Sequence, residues 1–204
     1  MKRSFQKSEA NLFAMAESQG GYFTAKQAEE AGFARTNHAY HVRTGNWVRE
    51  HRGIFRLTHF PTQKHPDLIL WSLWSRDRKD HLQGVYSHQT ALGLYDLSDV
   101  MPSKLHMTVP LSFRKNSVIP AVLVLHYADL PAKAIEEREG FRVTRPIQTI
   151  LDLSQSQELS PALLAQAFGE ARKRGLVAET EVKEHRRNLP SFLFPRSRLY
   201  ARTA

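Results

Sequence analysis

In the stretch "ARTNHAYHVRTG", Arg35, Thr36, Asn37, Tyr40 and Arg43 stand at offsets that can share one exposed face of a helix. Their chemistry is that of base and phosphate recognition. An arginine can pair bidentately with guanine, an asparagine with adenine, and hydroxyls and further cations reach base edges and phosphates. Directly after it, "NWVREHRGIFRL" sets Arg49, Arg52 and Arg56 around a turn at Arg52–Gly53. These three suit phosphates, and Arg52 at the tip can also enter a minor groove. Residues 31–60 hold five arginines and a single acid, Glu50. One surface arginine is commonly just a solvated charge; the clustering on two adjacent elements is what carries the nucleic-acid reading.

Such side chains need a frame. Residues 8–19 read as a helix with Ser8 as N-cap, stopped by Gly20–Gly21. The stretch "YFTAKQAEEAG" reads as a second helix, with Thr24 and Gln27 as a capping box, Phe23 as its staple and Ala25, Ala28 and Ala31 as a close-packing face. Gly32 ends it, and a third helix starts near Arg35 and closes at Gly45. Two helices joined by a few residues including a glycine are the helix-turn-helix signature, and the alternating apolar runs beyond make a hairpin that would render it winged. His38 and His41 lean inward beside Val42, while Trp47, Ile54, Phe55 and Leu57 form the hairpin core. Tyr40 is balanced between packing and phosphate contact.

The whole chain has 204 residues, 41% hydrophobic, no cysteine, and a formal charge of +9 with pI near 10.0. No cysteine means no disulfide, no cysteine-ligated zinc and no thiol nucleophile, and fits a reducing cytoplasm. There is neither an apolar run long enough for a membrane span nor a signal-peptide pattern at the N-terminus. Residues 1–60 carry 9 Lys/Arg and 5 Asp/Glu, residues 61–160 carry 11 of each, and residues 161–204 carry 9 and 4, so two basic ends flank a neutral middle. The expected class is α+β, with a winged helix-turn-helix over 1–60 and a larger mixed α/β domain over 61–204. In the latter, "PDLILWSLWSR" reads as a helix, Gly84–Tyr86 as a strand, and "SHQTALGLYDL" as a helix capped by Ser87. The runs "KLHMTVP" and "AVLVLHYA" read as strands, and "RVTRPIQTILDL" as a strand entering a helix at Pro146. Two helices follow, the first with Ser160 as N-cap and Gly175 after its end, the second in "AETEVKEHRR".

Enzymatic alternatives fare worse. Ser87, His106 and His126, with Asp96, Asp99 and Asp129, offer hydrolytic or metal-binding types, but no metal-binding spacing occurs and histidines in strands read as structural. Asp152 with Glu181 and Lys183 offers nuclease types, yet residues two apart on a helix point in different directions. No catalytic residue, metal or cofactor is therefore expected. The basic runs "EARKRG" and "EHRR" read as solvated helix faces or a second phosphate-contacting surface. The tail "FLFPRSRLYARTA" sets Phe192, Phe194 and Tyr200 among three arginines and either packs back or touches nucleic acid. A protein-interaction module, with the hairpin binding a partner, is the remaining alternative.

The stretch "GGYFTAKQAEEAGFARTNHAYHVRTGNWVREHRGIFRL" resembles the N-terminal winged helix of the AbiEi family, antitoxins of type IV toxin–antitoxin and abortive-infection systems. The resemblance continues in "LWSLWSRDR", "GVYSHQTALGLYDLSDVMPSKLHMTVP", "VLHYADL" and "VTRPIQTILDL", covering about residues 10–153. It implies a cytoplasmic transcriptional repressor that binds promoter inverted repeats of its own operon. The implied functional partner is a nucleotidyltransferase-like toxin, countered without a stable complex. Arg35, Thr36, Asn37 and Arg43 fall on the recognition helix, and Arg49 and Arg52 on the wing. His38 departs from the aliphatic residue that such a helix would carry.

Overall fold

Leu12 and Ala16, four apart and buried, show which face of the first helix packs inward. In the computed structural model, which describes residues 2–98 and 102–194, this helix, α1, runs Lys2–Glu17. Ser8 is thus inside the helix rather than its cap. Asp99 and the tail from residue 195 onward, including Tyr200, lie outside the described residues.

After the Gly20–Gly21 turn, Tyr22–Thr24 form a strand, β1, where the sequence suggested the start of the second helix. Its backbone groups pair with a later strand, so Phe23, fully buried, is a sheet residue and not a staple. Thr24 then caps α2, Ala25–Glu30, through the expected capping box. Its hydroxyl accepts from the Gln27 N–H at 3.2 Å, and Gln27 Oε1 accepts from the Thr24 N–H at 2.8 Å. A 3-10 turn over Arg35–Asn37 leads into α3, His38–Arg43. The hairpin follows as β2, Trp47–His51, and β3, Ile54–Leu57, antiparallel with a register shift between Arg49 and His51. The sheet order is β1-β3-β2. Gly53 turns the hairpin at φ +74°, a left-handed backbone that strains other residues, and its carbonyl accepts from the Ala25 N–H at 2.9 Å. The tip is thereby tied to the start of α2. Leu12, Ala16, Phe23, Ala28, Ala31, Phe33, Trp47 and Phe55 form one apolar cluster under these elements.

Helix α4, Pro66–Trp74, buries Leu68, Ile69, Leu73 and Trp74. Two compact units result: residues 1–85 with 137–142, and residues 86–136 with 143–204. The first unit thus runs past the 60/61 boundary read from the sequence, because α4 packs on β1 and β3.

Beyond it come β4 (Val85–Tyr86), α5 (His88–Leu94), β5 (Leu105–Val109), β6 (Leu123–Tyr127), β7 (Ile135–Arg138) and β8 (Phe141–Thr144). Helices α6 (Pro146–Ser156), α7 (Pro161–Lys173) and α8 (Glu179–Glu184) complete the described elements. The strands form one five-stranded sheet, order β6-β5-β4-β8-β7, in which β5 runs parallel to β6 and β4 to β8. Mixed α and β elements around two sheets make the class α+β. Pro146 and Pro161 stand at helix starts, and Ser160 accepts from the Leu163 N–H at 3.4 Å, as their positions in the sequence imply. Ser87 stands at the N-cap position of α5, as its place in the sequence implies, but its hydroxyl makes no cap bond and is engaged elsewhere.

On α6, Asp152 Oδ1 accepts from Gln148 Nε2 at 2.7 Å, while Oδ2 is buried with no hydrogen-bond partner among the described residues. Burial pushes its carboxyl from 3.8 up to about 6, against the lowering effect of the Gln148 bond. In the unfolded chain it ionises near its ordinary value. Stability is therefore lost as pH rises from about 4 through 6, and the loss is complete above that. Asp152→Asn is expected to raise stability at pH 7.5 by ~1–3 kcal/mol and to leave it unchanged at pH 4. Urea unfolding at the two pH values checks this; a gain of equal size at both would show that ionisation is not the cause.

Candidate nucleic-acid interface

The helix pair is clamped from beneath by polar as well as apolar contacts. Gln19 and Gln27 are buried and exchange amide hydrogen bonds, 3.2 Å and 3.0 Å. Both side chains are thereby satisfied where an unpaired amide would be costly. Gly32 lies at φ +104° in the turn before Arg35, and a Cβ there would meet Ser8 Oγ at 2.5 Å, so α1 comes up against the turn as only glycine permits.

The inner side of α3 is aromatic. His38 is 6% exposed, and its Nε2 donates to the Phe33 carbonyl at 3.1 Å, which fixes the proton on that nitrogen. Its ring lies 5.4 Å from Trp47 and 5.7 Å from Phe55. The unexpected histidine thus satisfies the carbonyl that ends the turn while filling an aliphatic-sized space. His41 stacks on Trp47 at 4.5 Å and 18°. Its Nδ1 accepts from Asn46 Nδ2 at 3.4 Å, and burial holds its pKa below the usual value, so it carries no charge at neutral pH. Val42 is half-buried beside them.

The outer side is hydrophilic. Arg35, Thr36 and Asn37 are all exposed. Asn37 sits at the N-cap position of α3 without making a side-chain cap bond, which leaves its carboxamide directed to no helix N–H. The Arg35 guanidinium is 81% exposed, with Glu29 at 3.9 Å as a weak surface partner. Tyr40 is 53% exposed, and the Arg43 guanidinium lies 5.9 Å from its ring centre. Tyr40 is therefore a surface residue that supports a cation, not a core residue.

On the hairpin, Arg49 and Arg52 are exposed. Arg56 differs: its Nε donates to Glu50 at 2.7 Å, both side chains being 26% exposed. The lone acid of this region thus neutralises one of its arginines. Seven of the eight candidate residues are exposed on the 3-10 turn, α3 and the hairpin; Arg56 is half-buried and closely matched by Glu50, while Arg35 has only the long, exposed contact to Glu29.

The second unit brings together His106 and His126, which the sequence offers as metal-binding types but which read as structural, with His88 and Glu158, which the sequence does not single out. His106 on β5 and His126 on β6 face each other across the parallel pair, Nδ1 to Nε2 at 3.0 Å. Glu158, after α6, brings Oε2 to 3.4 Å from the same His106 Nδ1. His88 stacks on His126 at 3.6 Å and 11°, and the Ser87 hydroxyl, accepting from Thr108 at 2.7 Å, lies 2.9 Å from His88 Nδ1. Burial lowers the pKa of all three histidines, that of His88 to about 3. Spacing along the chain cannot reveal this set, because adjacent strands and a distant loop assemble it. Asp96 and Asp129 are exposed, and Asp129 accepts from the Leu111 N–H at 3.1 Å. Among the described residues no helix is long and apolar enough to cross a membrane.

Comparison with known proteins bears on both units. The fold is similar to that in the crystal structure of the RV2827C protein from Mycobacterium tuberculosis. The TM-score is 0.55 at 12% identity, over 89% of this chain and 71% of that one. At that identity the likeness concerns the fold alone. No curated protein matches the chain significantly. Residues 12–58, from the buried Leu12 of α1 to the end of the hairpin, match the family described as "Transcriptional regulator, AbiEi antitoxin". Over residues 12–58 the sequence is thus similar to the AbiEi antitoxin transcriptional regulators, as the stretch "GGYFTAKQAEE…GIFRL" suggests.

Proposed function

We propose that this protein is a sequence-specific double-stranded-DNA-binding transcriptional repressor of the cytoplasm. It is the antitoxin of a type IV toxin–antitoxin system that represses its own operon at promoter inverted repeats. On this reading residues 1–60 act as a winged helix-turn-helix: the 3-10 turn and α3 enter the major groove and the β2–β3 hairpin is the wing. The observation that carries it is the contrast between the two sides of Arg35–Arg43. One side is locked by His38, His41 and Trp47, and the other presents Arg35, Thr36, Asn37, Tyr40 and Arg43 to solvent. A rigid, cation-rich face with an amide and a hydroxyl in its first turn is what base readout needs. The family match over the same residues supports it.

The molecule works by binding rather than catalysis on this proposal. Arg49 and Arg52 hold phosphates, so that the first turn of the recognition element is placed at base edges. Arg56, paired with Glu50, orders the hairpin more than it contacts DNA. The functional partner is a nucleotidyltransferase-like toxin, antagonised without a stable complex.

The direct experiment is fluorescence anisotropy of the full chain with its own upstream duplex and a scrambled duplex at two salt concentrations. Preference for the native duplex that survives moderate salt is the expected result. Equal binding to both that collapses with salt would reduce the basic surface to non-specific charge. Arg52→Ala is expected to weaken binding to every duplex alike and to lower the slope of log K against log salt by about one. An unchanged slope would remove Arg52 from the phosphate-contacting set.

A further inference from the structure

We propose that His106, His126 and Glu158 bind one divalent transition-metal ion, zinc(II) above all, at the β6 edge of the five-stranded sheet. The inference is independent of the DNA-binding reading. It starts from the placement of three ligand atoms. His106 Nδ1, His126 Nε2 and a Glu158 carboxylate oxygen all lie within 4.8 Å of one another. Two of the separations are 3.0 Å and 3.4 Å. Ligands held about 2.0–2.2 Å from a tetrahedral zinc ion stand roughly 3.3 Å apart, so these separations are those of a tetrahedron's edges.

The donor types select the metal. Two imidazoles with one carboxylate suit zinc and its neighbours among the transition metals, whereas magnesium and calcium take sets made wholly of oxygen. Burial lowers the pKa of both imidazoles, the direction that favours the neutral form a metal ligand needs. Without metal one ring donates the single proton of the short Nδ1–Nε2 contact; on binding that proton moves to the donor ring's other nitrogen, so that His106 Nδ1 and His126 Nε2 are both free and each ring stays neutral. Three protein ligands leave a fourth position, and Glu158 is exposed, so water or a ligand atom can reach the ion from solvent.

The surroundings hold the site in shape. The His106 N–H donates to Thr90 Oγ1 at 2.8 Å, and five successive register pairs, Leu105↔Leu123 to Val109↔Tyr127, lock β5 to β6. His88 lies flat on His126, and its own backbone is left-handed at φ +51°, a conformation that persists only where neighbours hold it. Glu158 belongs to the short link between α6 and α7, so a bound ion fastens that link to the edge strand.

The test uses the full chain without a polyhistidine tag, stripped with chelator and titrated with zinc(II) against a chromophoric competitor, then with cobalt(II). One zinc per chain and the visible absorption of tetrahedral cobalt are expected. Glu158→Gln, near-isosteric at an exposed position, should weaken zinc by at least about tenfold, and His126→Gln by about a hundredfold or more. Far-UV circular dichroism, unchanged in both, shows that folding is intact. Glu158→Gln serves where His126→Gln destabilises the sheet. Stoichiometry below one, octahedral cobalt absorption, or zinc affinity unaltered in Glu158→Gln would each overturn the assignment.

Discussion

Replacing Arg35 and Asn37 together by alanine is expected to abolish discrimination between the native upstream duplex and a scrambled one. A well-formed bidentate contact contributes about 1–3 kcal/mol of discrimination, so the pair removes ~2–6 kcal/mol, roughly 30-fold to more than 10⁴-fold. Residual affinity should remain, because the proposed phosphate contacts of Arg43, Arg49 and Arg52 are left in place. Stability should hardly move. Both side chains are exposed, Asn37 caps nothing, and the Arg35–Glu29 contact at 3.9 Å between exposed groups is worth little. Anisotropy titrations of the double variant, paired with its thermal melt, separate the two quantities. Preserved preference for the native duplex would mean that other residues read the bases. Lost preference with a lowered melting temperature would instead reveal a structural role for this turn.

The second large effect falls inside. Trp47→Ala is expected to cost about 3–5 kcal/mol, the range for deleting a buried aromatic side chain, and to unfold the first unit under mild denaturant. Trp47 is 4% exposed and touches five aromatic rings: Phe23 at 4.9 Å, Phe33 at 5.2 Å, His38 at 5.4 Å, His41 at 4.5 Å and Phe55 at 5.7 Å. It joins α3 to the sheet, so its loss frees the helix that carries the candidate base-reading residues. Trp47→Phe keeps part of the stack and should cost less. Urea unfolding followed by the remaining tryptophans gives the numbers. A loss below about 1 kcal/mol for the alanine variant would show that the cluster repacks and that α3 is held by something else.

These two substitutions lie twelve residues or fewer apart in the chain, yet one acts on recognition and the other on folding. The division follows burial. His38 and His41 could have belonged to either side, since histidine serves as cation or as core ring. Their hydrogen bonds to Phe33 and from Asn46 place both inside, and burial lowers the pKa of His41. Arg56 and Glu50 show the opposite case: composition counts five arginines against one acid, whereas geometry cancels one pair at 2.7 Å.

The AbiEi match covers less than a quarter of the chain, residues 12–58. The likeness read in "GVYSHQTALGLYDLSDVMPSKLHMTVP" lies beyond that range. The second unit therefore rests on its own geometry, and within it the histidine–glutamate grouping of His106, His126 and Glu158 is the clearest chemical feature.

What the amino-acid sequence determined by itself was local. Thr24 and Gln27 specify a capping box, Pro146, Ser160 and Pro161 specify helix starts, and the alternation around Gly53 specifies a hairpin. Each of these signals is complete within a few residues and depends on backbone groups close by. What only the tertiary structure decided was everything that depends on residues far apart in the chain. Tyr22–Thr24 became a strand because β3 supplies its hydrogen bonds, overriding a three-residue pattern too short to announce itself. Ser87 keeps the N-cap position of α5 but makes no side-chain cap bond, its hydroxyl accepting instead from Thr108 on β5. His106, His126 and Glu158 met because a parallel strand pair and an inter-helix link bring together positions up to 52 apart in number, a distance no spacing rule spans.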